Sequence, residues 1–114
     1  MDVVVALGGG GIKGVGHIPV LEALDDLGVR PIASSGTSIG ALVGAAYAGG
    51  MTGSEIRSHV KTLAANKTRA FWAVVRDPRN QFLGGGVSPE AAVALALPDE
   101  VPHRFEDLTI PFAA

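Results

Sequence analysis

Two glycine-rich segments, each placed directly after a short run of strand-forming residues, constrain this chain more than any other feature. The first is Gly8-Gly9-Gly10-Gly11-Ile12-Lys13-Gly14, which follows Val3-Val4-Val5-Ala6-Leu7. The second is Gly36-Thr37-Ser38-Ile39-Gly40, which follows Pro31-Ile32-Ala33-Ser34-Ser35. Val3–Leu7 is a near-continuous apolar run, as expected of a parallel strand buried on both faces. Glycine is the residue that lets a chain leave a strand through a sharp turn, because it has no Cβ to collide with neighbouring backbone. Both segments therefore read as strand-to-helix turns.

The rest of the chain alternates between strand and helix. Pro19 stands in the first turn of a helix, where a missing N–H is tolerated. Ile18, Leu21, Leu24 and Leu27, with Val20, form its inward face at helical spacing, and Gly28 ends it. Pro31–Ser35 is the second strand. The helix after Ser38 carries Gly40, Gly44 and Ala48 at four-residue steps, a small face suited to close packing, and Gly49-Gly50 stops it. Ser54–Ala65 is amphipathic, with Ile56, Val60 and Leu63 inward. Ser88-Pro89-Glu90 opens a short helix that runs through Leu97, and Thr109–Phe112 begins a third strand. This order predicts an α/β fold with a parallel sheet and right-handed crossovers. Neither an internal repeat nor a domain linker is visible.

The chemistry lies in the turns. Gly36-Thr37-Ser38-Ile39-Gly40 has the Gly-x-Ser-x-Gly spacing of a nucleophile elbow, in which a serine tops the turn with its Oγ exposed. Gly36 and Gly40 stand where a side chain would strike adjacent backbone. The helix that follows points free N–H groups and partial positive charge at the serine. The N–H of Ile39 is one candidate donor to an oxyanion. The loop of Gly9, Gly10 and Gly11 supplies others, since successive unpaired backbone amides form an anion-binding concavity. Lys13 reads equally well as a cation facing that anion or as a solvated loop residue.

With these residues the chain resembles the patatin-like phospholipases, whose core pairs a Gly-Gly-Gly-x-Arg/Lys-Gly loop with Gly-x-Ser-x-Gly. The matching residues are Gly9-Gly10-Gly11-Ile12-Lys13-Gly14 and Gly36-Thr37-Ser38-Ile39-Gly40. The likeness continues through Ala41–Gly50 and returns at Phe105-Glu106-Asp107-Leu108-Thr109-Ile110-Pro111-Phe112. The resemblance implies a parallel-sheet patatin-like hydrolase core and a Ser–Asp dyad without histidine. It also implies hydrolysis of lipid acyl esters with neither metal nor organic cofactor. Ser38 would be the nucleophile and the Gly9–Gly11 amides, with that of Ile39, the oxyanion site. The family's aspartate sits in an Asp-Gly-Gly or Asp-Gly-Ala motif, and no Asp-Gly dipeptide occurs here. Residues 1–114 are therefore expected to be the N-terminal portion of a single patatin-like catalytic domain, truncated at its C-terminal end, with the nucleophile present and the base absent.

Other readings of the same residues stay open. Gly9-x-Gly11-x-x-Gly14 after a strand also fits a dinucleotide-binding turn of an oxidoreductase, although Ser34 and Ser35 stand where that fold places an acid for the ribose hydroxyl. A P-loop is excluded because Gly14, not Ser or Thr, follows Lys13. Ser38, Asp99 and His103 fall in a chain order compatible with a Ser-Asp-His triad, with acid and base cramped together. His59 reads as a polar-face helix residue and His17 as the start of a helix. A non-catalytic lipid- or partner-binding fragment is a further alternative.

Charge and composition narrow the partners. A net charge of −2 argues against nucleic acid. Residues 57–79 hold six basic residues against one acid and enclose Phe71-Trp72-Ala73-Val74-Val75. That combination suits peripheral contact with an anionic lipid surface, or a core cluster flanked by a solvated face. With no cysteine, disulfides and thiolate metal sites are excluded. The N-terminus lacks a basic region, so it is not a signal peptide. The longest apolar stretch, Ile39–Met51, is 13 residues, short of the ~18 of a membrane helix. A cytoplasmic location is favoured.

Overall fold

A computed structural model describes residues 2–9, 11–65 and 97–114. Among the described residues, three parallel strands, β1 (Val4–Leu7), β2 (Ala33–Gly36) and β3 (Phe112–Ala113), lie in the order β1-β2-β3. Helices α1 (His17–Asp26), α2 (Ile39–Ala48) and α3 (Gly53–Ala65) connect and flank them. The expected α/β parallel sheet is thus present. The register pairs Val5 with Ser34 and Leu7 with Gly36 on one side of β2, and Ser34 with Phe112 on the other. Val5, Leu7, Ser34, Gly36 and Phe112 therefore share a sheet face, and α2 packs on it.

That packing is closer than side chains normally allow. A Cβ at Gly44 would lie 2.8 Å from the Phe112 ring and 3.4 Å from Leu7 Cδ1. Ala48, the third member of the small stripe, is completely buried. The core beneath comprises Leu7, Ile18, Leu21, Ile39, Val43 and Ile56 with residues of the 101–110 segment. Helix α1 contributes Ile18 and Leu21 fully and Leu24 in part, as its spacing predicts. Leu27 and Val20 depart from that expectation, at 75% and 53% exposed. Leu27 is the C-cap, one residue past the helix, and Val20 lies off the buried stripe. β1 also departs from two-sided burial, because Val4 is 64% exposed. The third strand is shorter than expected. The N–H groups of Thr109 and Ile110 donate to the Ala48 carbonyl at 2.8 and 3.1 Å rather than to a strand, so only Phe112 and Ala113 pair with β2.

Both glycine stops act as the sequence indicates. Gly28 (φ 68°) and Gly50 (φ 107°) adopt backbone that L side chains avoid. At each, the glycine N–H donates to a carbonyl three residues back, and the next N–H reaches five back. These bonds satisfy the last free carbonyls of α1 and α2. Of the short helix expected from Ser88 to Leu97, residues 88–96 lie outside the described residues and Leu97 is a bend, and most of the basic 57–79 window lies outside them too. Within that window, Arg57 makes a two-pronged pair with Glu22 of α1, both contacts at 2.6 Å. The hydrogen bond to Arg57 holds Glu22 below the usual carboxylate range. No helix among the described residues is long and apolar enough to cross a membrane.

One carboxylate joins α1, α2 and α3. Asp25, near the end of α1, accepts from the Tyr47 hydroxyl of α2 at 2.9 Å and from the Gly53 N–H that opens α3 at 2.7 Å. Burial and this bond push the Tyr47 phenol up to about 12, because ionisation would leave an anion against Asp25 in a poorly solvated place. The folded state therefore holds the phenolic proton more tightly than the unfolded chain. Its contribution to stability is complete below about pH 10, the unfolded value, and is lost as the pH rises through about 12. Tyr47 is the only tyrosine of the chain. Its tyrosinate absorbance should rise with a midpoint near 12, and Tyr47→Phe should abolish the alkaline loss of stability attributable to this group. A midpoint at the free-phenol value of about 10 would contradict the Asp25 contact.

Candidate active site

The two glycine segments meet at the C-terminal ends of β1 and β2. The Thr37 N–H donates to the Leu7 carbonyl at 3.0 Å, extending the β1–β2 ladder to the foot of the second turn. Ser38 then takes φ 56° and ψ −127°, the only non-glycine residue at positive φ among the described residues. A serine in that backbone is strained by about 1–3 kcal/mol. Although Ser38 occupies the N-cap of α2, its Oγ makes no capping bond. A serine at an N-cap ordinarily gives its oxygen to the second or third amide of the helix. Here the backbone turns it away, and Ser38 is exposed.

The flanking glycines make this turn possible. A Cβ at Gly36 would collide with the Gly40 carbonyl and lie 2.7 Å from the Ala41 nitrogen. One at Gly40 would collide with the Leu7 carbonyl and lie 2.7 Å from that of Gly8. Elbow and first loop are thus in backbone contact. Gly9 reaches over the elbow, where a Cβ would come 3.2 Å from Ser38 Cβ and 3.5 Å from the Thr37 carbonyl. Gly14 is buried against Ile39, with no room for a side chain.

The structure therefore brings Gly9, Gly14, Gly36, Ser38, Ile39 and Gly40 together. Gly10 lies outside the described residues. Gly11 opens a 3₁₀ helix, Gly11–Gly16, that runs straight into α1; the sequence did not foretell it. Lys13 projects from that turn and is exposed. The amides of Gly40, Ala41 and Leu42 bond to the Thr37 and Ser38 carbonyls. None of the described hydrogen bonds takes up the Ile39 N–H. His17 begins α1, as expected, and its Nε2 lies 2.8 Å from the Gly8 carbonyl, a contact that sequence reasoning missed.

A cavity of about 380 Å³ runs along the same side of α2 as Ser38. Ala41, Leu42 and Ala45, three, four and seven residues after the serine, form one wall, and Phe105, Leu108 and Phe112 form much of the other. Residues at those spacings lie above one another on a helix. The Phe105 and Phe112 rings stack with centroids 5.8 Å apart. Asp99 and His103 stand at this cavity, exposed, with no hydrogen bond between them or to Ser38 among the described residues. The triad order is thus not matched by a connected triad.

Comparison with known proteins agrees with this geometry. The sequence profile of the family described as patatin-like phospholipase matches residues 5–113, and the chain belongs to that family. It is 39% identical over 73 residues to patatin-like phospholipase domain-containing protein 6 of Mus musculus, covering 64% of this chain and 5% of that protein. It is 31% identical over 110 residues to lysophospholipase NTE1 of Cryptococcus neoformans var. neoformans, covering 96% of this chain and 7% of that protein. The chain thus spans less than a tenth of these relatives' length. None of these findings supports the dinucleotide-binding reading.

The backbone of Ser38 makes a specific prediction about stability. Replacing it with glycine relieves strain of about 1–3 kcal/mol, offset by glycine's extra unfolded-state freedom of about 0.5–1 kcal/mol. Ser38→Gly should therefore be more stable than Ser38→Ala by about 1 kcal/mol in urea unfolding. Equal stability of the two variants would limit the strain of the turn to no more than glycine's own unfolded-state cost of about 0.5–1 kcal/mol.

Proposed function

We propose that this chain carries the nucleophile and oxyanion site of a lipid acyl-ester hydrolase. The observation that supports it most directly is Ser38, held in glycine-type backbone with its Oγ released from capping and Gly9 packed against it. In this reading the Ser38 oxygen attacks the ester carbonyl and its proton passes to an aspartate. The carbonyl oxygen becomes an oxyanion facing the amides of Gly9–Gly11 and Ile39. The bond to the alcohol then breaks, the alcohol leaves with the proton, and water activated by the same aspartate releases the acyl group from Ser38. No Asp-Gly dipeptide stands among these residues, so that aspartate is expected outside them.

The cavity along α2 supports a substrate with an apolar acyl chain. Its apolar walls start one helical turn below Ser38, where the acyl chain of an ester under attack would lie. A pocket of a few hundred Å³ with few polar groups is the usual form of a site for an apolar ligand. The matched lysophospholipases fit the same class. Charge in the basic window would support contact with an anionic lipid surface, less Arg57, which Glu22 already holds.

In the complete gene product, Ser38→Ala should abolish ester hydrolysis and fluorophosphonate labelling while the fold persists. Retention of either by a folded variant removes Ser38 as the nucleophile. A polypeptide of residues 1–114 alone should turn over no p-nitrophenyl ester. Turnover that His103→Ala removes would instead place the base within these residues, at Asp99 and His103.

The cavity yields a second test. Ala45→Trp fills its α2 wall and should shift preference toward short acyl chains, with activity on acetate esters kept and activity on long-chain esters reduced about ten- to hundred-fold. An unchanged chain-length profile would dissociate this cavity from the acyl group.

A further inference from the structure

The described residues hold one polar contact between α1 and the first glycine loop that neither the elbow nor the core accounts for. His17 Nε2 lies 2.8 Å from the carbonyl oxygen of Gly8, nine residues earlier in the chain. A carbonyl oxygen only accepts, so Nε2 carries the hydrogen and donates it. We infer that His17 is a positioning residue that sets the orientation of the Gly9 amide in the oxyanion site; this rests on the hydrolase reading above.

One peptide unit couples the imidazole to the amide. The carbonyl of Gly8 and the N–H of Gly9 belong to the same planar trans peptide and point in opposite directions. Fixing the oxygen fixes the hydrogen. In most loops the flanking side chains resist rotation of a peptide plane. Between Gly8 and Gly9 they do not exist, and glycine adopts both signs of φ about equally. A Cβ at Gly8 would meet nothing within 4 Å, so packing does not hold it either.

Two contacts hold the oxygen instead. On one side is the bare Cα of Gly40, where any Cβ would lie 2.7 Å from it. On the other is the imidazole of His17, on the first residue of α1 and half-buried. Gly40 limits where the oxygen can go, and among the described residues His17 is the side chain that donates to it. Without the imidazole, the Gly8–Gly9 peptide loses that donor, and its rotation would turn the Gly9 N–H out of the orientation it holds beside Ser38.

This role differs from that of a catalytic group. His17 takes no proton and touches no substrate. Its loss should act on the step in which negative charge develops on the carbonyl oxygen and leave substrate binding alone. A misdirected amide donor is a geometric fault, and such faults cost about 10²-fold or less in rate.

The experiment uses the complete gene product with three substitutions. The amide nitrogen of His17→Gln reaches the place of Nε2, whereas that of His17→Asn stops short of it, and His17→Ala has none. Each is measured for kcat and KM on a p-nitrophenyl ester, and for inhibition by a trifluoromethyl ketone, which forms a tetrahedral oxyanion adduct with a serine. Thermal unfolding identifies folded variants. His17→Ala and His17→Asn should lose about ten- to hundred-fold in kcat and bind the ketone more weakly in proportion, with KM within about twofold. His17→Gln should keep most of both activities. Should His17→Ala fail to fold, the Gln and Asn pair decides the matter. Wild-type kcat in a folded His17→Asn, or equal losses in Gln and Asn, would overturn the positioning role. Ser38→Ala runs alongside. If it abolishes turnover while the His17 variants retain it, the role fails and the hydrolase reading stands; if Ser38→Ala retains turnover, both fail.

Discussion

Helix α2 reaches the sheet through three positions that have no room for a side chain, and the arrangement of everything else depends on that approach. At Gly36 and Gly40 the obstructing atoms are backbone, which cannot swing aside as a side chain does. At Gly44 they are the Phe112 ring and Leu7. The helix axis is therefore set at a distance that places its N-terminus directly over the ends of β1 and β2. Ser38 is the residue at which the chain must turn from strand into that helix within one step. Its positive φ results from the closeness of α2, and its exposed hydroxyl results from the positive φ.

A strained residue persists only where its surroundings outweigh the strain. Here they act at the far end of α2. The Ala48 carbonyl accepts from Thr109 and Ile110 N–H and from Thr109 Oγ1, all within 3.1 Å. Tyr47 is bonded to Asp25, and Gly50 closes the helix. The stripe of small residues prevents the helix from lifting, and these bonds prevent it from sliding. Relaxing Ser38 to ordinary backbone would require one or the other.

Much of this was legible in the sequence because it rests on steric exclusion, which leaves a local signature. Glycine at 36, 40 and 44, and the apolar spacing of Ile18, Leu21 and Leu24, announce close packing without knowledge of the partner. What stayed hidden depends on residues distant in sequence. Leu27 has the right spacing to be buried, yet the helix ends one residue before it, at a cap whose geometry needs Gly28. Thr109 and Ile110 have strand-like side chains, but their amides are diverted by the end of α2. The 3₁₀ turn at Gly11–Gly16 has no periodic pattern to betray it. His17 was readable as a helix start, whereas its carbonyl partner, nine residues back in a loop, was not.

The junction at Asp25 carries a consequence for how the fold comes apart. Helix starts usually fray first, exchanging their amide hydrogens with solvent at little cost. Gly53 stands at such a start, but its N–H is bonded to a carboxylate that also holds Tyr47, and its Cα rests where a Cβ would come 2.6 Å from the Glu22 nitrogen. α3 cannot unwind from that end without releasing its hold on the last turn of α1 and the tyrosine of the helix that bears Ser38. The three helices are bound into one opening unit. The first amide of α3 then inherits the slow exchange of the interior, and the serine turn is shielded from the breathing of a peripheral helix.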